Sequence, residues 1–163
     1  MNYFKISLGI FVALAASRFI PHPPNFTSLL ALSFYIPALL GIRFIPALIL
    51  CFVISDYFIG FHGLTFFTWS SVLIIGLVSK FFKKKMSKRI IGSLFGAFIF
   101  FFITNFGVWL TDMYPNNIDG LINCYTLAIP FFGYTLTSTL TYSLLIELLY
   151  KLSYNKVEKV LSN

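Results

Sequence analysis

The chain has 163 residues, of which 58% are hydrophobic, 20% aromatic and only 10% charged, with a formal net charge of +7. Its mean hydropathy is +0.87. These values exclude an ordinary soluble domain and a disordered chain, and they indicate an all-α polytopic membrane protein in one domain, residues 1–163. Six segments are apolar enough to cross a bilayer, at about 4–20, 26–42, 43–60, 64–81, 89–110 and 124–150.

Basic residues orient these spans. With both termini inside, Lys5, Arg43, Lys80, Lys83, Lys84, Lys85, Lys88, Arg89, Lys151, Lys156 and Lys159 all fall on the inner side, and Arg18 alone lies outside. The localisation expected is the bacterial cytoplasmic membrane. The positive charge is read as a topology signal and as an attraction to anionic lipid at the inner loops. It is not read as a nucleic-acid site, because the run Lys80–Arg89 is a short connector between spans.

Span one carries Gly9, Ala13 and Ser17 at intervals of four, a face of small residues that another helix can approach closely. That helix belongs either to this chain or to a separate subunit. Residues 1–17 also have the make-up of a signal peptide, with Lys5, a short apolar run and Ala13-Leu-Ala15. A retained first span is preferred, because cleavage would detach the segment that follows it.

That segment, Arg18-Phe-Ile-Pro-His-Pro-Pro-Asn25, is rigid and polar. Its three prolines in four positions cannot sit inside a helix. It gathers a guanidinium, the His22 imidazole and the Asn25 amide, more than a plain connector needs. Span two starts at Asn25 or Thr27 as N-cap. Span three ends at Ser55-Asp56, and the outer turn that follows brings His62. Span four places Thr65, Thr68 and Trp69 near its outer end.

In span five, Asn105, Trp109 and Asp112 share one face at the outer end. The loop after it, through Asp119, is long enough to act as a lid. Span six holds Pro130 and Gly133, where a kink is expected, and a small-residue face of Gly133, Thr137 and Thr141. Glu147 and Lys151 form an i,i+4 pair that reads as structural. Cys51 and Cys124 read as packing residues.

Under this topology Arg18, His22, Asn25, Asp56, His62, Trp69, Asn105 and Trp109 all reach the outer third. Ionisable groups at membrane depth mark a site with a partner by default. Arg18 with Asp56 is the expected pair. Arg18 would hold an anionic group, Asp56 would orient Arg18 or bind a cation, and the two tryptophans would flank an apolar body. No hydrolase, zinc-protease or nucleotide-cradling motif is present, so no enzyme activity, cofactor or metal is assigned.

The turn Arg18-x-x-Pro21-His22-Pro23-Pro24-Asn25-Phe26-Thr27, followed by Ser55-Asp56-x-x-x-Gly60-x-His62, resembles a family of small uncharacterised bacterial membrane proteins. That family in turn resembles the substrate-binding S components of energy-coupling factor transporters. The resemblance implies a six-helix bundle that captures a vitamin or other micronutrient from outside. It also implies a transmembrane coupling subunit and ATPases as partners. In S components an Ala-x-x-x-Ala face on the first helix meets the coupling subunit, and here Gly9-x-x-x-Ala13-x-x-x-Ser17 stands in its place. The function expected is therefore a substrate-binding membrane subunit for uptake of a small water-soluble compound. The alternative is a structural scaffold of the cell envelope with no small-molecule ligand.

Overall fold

The computed structural model describes the backbone of residues 3–161 and the side chains of residues 8–152. The side chains of Lys5, Lys156 and Lys159, which contribute to the orientation, lie outside the described residues. Among the described residues there is no strand. Six α-helices follow one another: α1 Tyr3–Phe19, α2 Leu29–Leu40, α3 Ile45–Ile59, α4 Thr65–Val78, α5 Met86–Leu110 and α6 Ile118–Leu161. Short 3-10 turns at Ile42–Phe44 and Ser79–Phe81 lead into α3 and follow α4.

Helix ends follow from local chemistry. Gly41 and Gly60 stop α2 and α3 at φ +103° and +112°, where a side chain would be strained. Each returns its N–H to the last turn, to Pro37 O at 3.0 Å and Asp56 O at 2.7 Å. The prolines after α1 close a tight turn in which Phe26 N–H donates to Pro23 O at 3.0 Å. Pro24 supplies the fixed φ, and Asn25 takes φ +60°, a conformation asparagine tolerates. Asn25 is thus a turn residue. Helix α2 begins after Ser28, and Thr27 Oγ1 accepts the Leu29 N–H at 3.4 Å.

Helix α2 is the hub of the bundle. Leu29 to Tyr35, Pro37 and Ala38 are all buried in its 12 residues, and every other helix packs on it. Phe34, Tyr35, Leu48, Phe52, Val72 and Ile75 form the centre of the core. Helix α5 approaches α2 and α4 closely because it presents glycine there. A Cβ on Gly92 would lie 2.6 Å from the Phe34 ring, and one on Gly107 would lie 2.5 Å from Phe67.

Among the described residues, two stretches, Ile42–Ile59 and Met86–Leu110, are long and apolar enough to cross a membrane, and three shorter helices are apolar as well. Helix α6 runs unbroken through Pro130 for 44 residues. It starts six residues before the expected span and takes in Asp119, so the α5–α6 connector is only residues 111–117. That length leaves little for a lid. The Gly133, Thr137 and Thr141 face is exposed, and the buried face of α6 is instead Thr135, Ser138, Thr139, Ser143 and Glu147. Glu147 is held by Arg89, not by Lys151.

Candidate ligand-binding cavity

Asp56 stands in the last turn of α3, where a helix dipole disfavours negative charge, and it is only 1% exposed. Two neighbours compensate. Arg18, in the last turn of α1, brings Nη2 to 2.6 Å from Oδ1. Trp69, in the second turn of α4, donates its indole N–H to Oδ2 at 2.8 Å. Arg18 also donates Nη1 to Ser55 Oγ and stacks on Phe52, 4.6 Å from the ring centroid. The guanidinium is therefore oriented by α3 alone. Such a pre-set fork loses little freedom when it accepts a further partner.

Arg18 also borders a cavity of about 490 Å³. The polar lining comprises His22, Asn25, His62 and Asn105 with Thr27, Thr68, Thr104 and Thr135, and the apolar wall is Leu29, Leu30, Phe100, Phe101, Phe131 and Phe132. These residues come from the end of α1, the start of α2 and α4, the second half of α5 and the first half of α6. All lie at one end of an up-and-down bundle. The basic connectors at Arg43 and Lys80–Lys88 lie at the other. A mostly apolar pocket with a few convergent polar groups is the usual form of a small-molecule site.

The polar groups have defined roles. Leu64 N–H donates to His62 Nδ1 at 3.2 Å, so the proton of neutral His62 sits on Nε2. His22 Nδ1 lies 2.8 Å from the Pro23 carbonyl, which can only accept, so His22 carries its proton there and leaves Nε2 as an acceptor. One rim imidazole therefore donates and the other accepts. Asn105 spends a donor on Phe101 O at 2.7 Å, which leaves its Oδ1 as an acceptor.

Five expected site residues thus border the cavity: Arg18, His22, Asn25, His62 and Asn105. Asp56, Trp69 and Trp109 do not. Asp56 lies behind Arg18. Trp69 is committed to Asp56, and Trp109 donates its indole N–H to Pro115 O at 3.0 Å, pinning the α5–α6 connector. The expected tryptophan walls are phenylalanines instead. Asp112 has left the face of Asn105: it sits past the end of α5 at φ +59°, bonded to Asn116.

Of the small residues on α1, Ser17 pairs with Ser28 at 2.7 Å, whereas Gly9 and Ala13 are exposed and a Cβ on Gly9 would touch nothing. Among the described residues, no three of His, Cys, Asp and Glu gather as a metal site would require. The sequence reading placed Thr27 and Thr68 at the outer helix ends without assigning them to a site, and it missed Thr104, Thr135 and the Arg89–Glu147 pair. The threonines carry no signal apart from their spacing. Glu147 did carry one, since a carboxylate within an apolar segment calls for a partner.

Fold and cavity define a small helical-bundle protein with a polar-mouthed, aromatic-walled pocket at one end. The chain belongs to DUF6580, a family of unknown function, whose model matches residues 2–160. No curated protein and no solved structure matches it.

Proposed function

We propose that the chain is a six-span protein of the bacterial cytoplasmic membrane that captures a small water-soluble compound from the outer side. A vitamin or other micronutrient is the class of cargo. The cavity carries this reading, because it joins an oriented guanidinium, a donor imidazole, an acceptor imidazole and an amide to a wall of four phenylalanines. The role is capture, not catalysis.

Membrane insertion is supported by the outward face of α5. Ile91, Phe95, Phe98, Phe102 and Phe106 are all more than 40% exposed there, a stripe a water-soluble surface would not carry. Lys83, Lys84, Lys85 and Lys88 are exposed at the opposite end from the cavity and suit anionic headgroups. Exposed Gly9 and Ala13 leave α1 open to a transmembrane coupling subunit, whose ATPases would energise uptake.

The scaffold reading has one observation in its favour. Asp56 faces Arg18 and Trp69 within the chain, so its ion pair also serves as a clamp between α1 and α3. Native mass spectrometry of the gently purified protein decides between the two. Capture predicts a small-molecule adduct on the wild type that Thr104→Phe, which fills the cavity, removes. Lipid alone, retained equally by both, would leave the scaffold.

A further inference from the structure

The charges around the cavity discriminate among water-soluble compounds. None of the residues that line it is Asp or Glu. Asp56, which backs Arg18, has Oδ1 2.6 Å from the guanidinium and takes the Trp69 indole N–H on Oδ2 at 2.8 Å. A cationic cargo would therefore meet a guanidinium and no free carboxylate. An anionic cargo would meet Arg18, whose Nη1 donates to Ser55 and whose Nη2 faces Asp56, with the remaining N–H groups of the fork unspent. Hydrogen bonds from a guanidinium to a carboxylate are among the strong ones.

Other donors in the lining are few, because the threonines turn their protons away. Thr68, Thr104 and Thr135 donate to Leu64 O, Phe100 O and Phe131 O of their own helices, at 3.1, 2.8 and 3.1 Å. They show the cavity lone pairs and methyl groups. The first turn of α2 reinforces Arg18: Leu29 and Leu30 line the cavity, and the N-cap Ser28 makes no side-chain bond to that turn. A phosphate ester carries about two charges. It would face one guanidinium already paired with Asp56, and no lysine or second arginine lines the cavity.

The apolar wall sets the rest of the cargo. Phe101 and Phe132 lie 4.6 Å apart between ring centroids at 38°, with Phe100 and Phe131 beside them in the lining. Such rings pack best on another flat ring. A cavity of about 150 Å³ holds one benzene ring, so about 490 Å³ has room for one or two rings with a carboxylate and water.

We propose that the cargo is a planar aromatic acid of one or two rings with a single carboxylate. The carboxylate sits on Arg18 and the ring against the phenylalanines. A ring N–H or O–H is met by Asn105 Oδ1, and a ring oxygen or nitrogen by the His62 Nε2 proton. This rests on the capture reading of the cavity and names its substrate class.

Calorimetry on the purified wild type tests it with defined probes. Benzoate, benzamide, benzylamine and phenyl phosphate form a matched one-ring set. Kynurenate is a two-ring acid with a polar ring edge, and octanoate is an acid without a ring. Benzoate should bind about tenfold or more tighter than benzamide, the size expected for a hydrogen bond to a charged partner. Benzylamine, phenyl phosphate and octanoate should also bind more weakly than benzoate, and kynurenate more tightly. Thr104→Phe should abolish binding of both aromatic acids, and Arg18→Gln/Asp56→Asn should bring benzoate down to the level of benzamide.

Benzamide, benzylamine, phenyl phosphate or octanoate binding as tightly as benzoate overturns the class. So does an advantage of benzoate that survives in a folded Arg18→Gln/Asp56→Asn. Should that variant not fold, the ranking on the wild type decides alone. Kynurenate no tighter than benzoate overturns the ring contacts to Asn105 and His62. A wild type that retains an adduct in native mass spectrometry yet binds neither aromatic acid overturns the class and leaves capture standing. No adduct and no binding of any probe sinks capture itself.

Discussion

Arg89 and Glu147 lie 58 positions apart and meet fork to fork, Nε on Oε1 and Nη2 on Oε2, at 2.6 Å each. Arg89 Nη1 also reaches Lys83 O at 3.1 Å, and the guanidinium lies 5.4 Å from the centre of the Tyr150 ring. One side chain thus joins α5, α6 and the connector before α5. Removing either partner strands a charge in a buried site, at a cost of about 3–5 kcal/mol. Glu147→Leu and Arg89→Met should each lower the melting temperature in detergent sharply, and the double variant much less. A double variant as unstable as the sum of the two would show that the residues contribute independently.

The outer pair should separate folding from binding. Arg18→Ala leaves Asp56 buried against Trp69 without its cation, so this variant should lose stability as well as ligand. Arg18→Gln/Asp56→Asn removes both charges and keeps hydrogen-bonding groups in place. It should melt near the wild type and retain no ligand adduct. Retention of the adduct by a well-folded double variant would show that the guanidinium is only a clamp.

The sequence showed most clearly what depends on composition and on rigid local chemistry. Helices α1 to α5 were legible to within a few residues because prolines and glycines punctuate them, as at Pro21–Pro24, Gly41 and Gly60, whereas α6, which no such signal ends, runs well past the expected span at both ends. The polar mouth was legible because charge is so rare that Arg18 and Asp56 stand out. What stayed hidden depends on helix rotation. Trp69 and Trp109 lie at the expected ends of α4 and α5, but each indole is turned to a partner outside the cavity. The buried face of α6 was misread for the same reason: Gly133, Thr137 and Thr141 looked like a packing seam, whereas the neighbouring stripe from Thr135 to Glu147 faces inward.

The contrast between Gly92 and Gly133 gives a packing test. A methyl at Gly92 would sit 2.6 Å from both Phe34 and Phe82, and at Gly133 it would meet nothing within 4 Å. Gly92→Ala should cost about 1–3 kcal/mol as α5 is pushed from α2. Gly133→Ala should be neutral or slightly stabilising, since alanine is the better helix former. Thermal unfolding of the two variants side by side reads the difference, and equal stability would mean that α5 has room to move.

The two tryptophans should also part company. Trp69 donates to a carboxylate buried among α1, α3 and α4, whereas Trp109 donates to the carbonyl of Pro115 on an exposed connector. Trp69→Phe keeps the ring but leaves Asp56 Oδ2 without its donor. Loss of a partner by a buried charged group costs about 1–3 kcal/mol or more. At Trp109 water replaces the lost donor, so Trp109→Phe should change stability by less than about 1 kcal/mol. Neither ring lines the cavity, so Trp109→Phe should leave ligand retention unchanged. Trp69→Phe should weaken it, because Asp56 then holds Arg18 less firmly. If Trp109→Phe abolished binding with the fold intact, the ligand would have to contact the α5–α6 connector, and the cavity would extend beyond the walls described above.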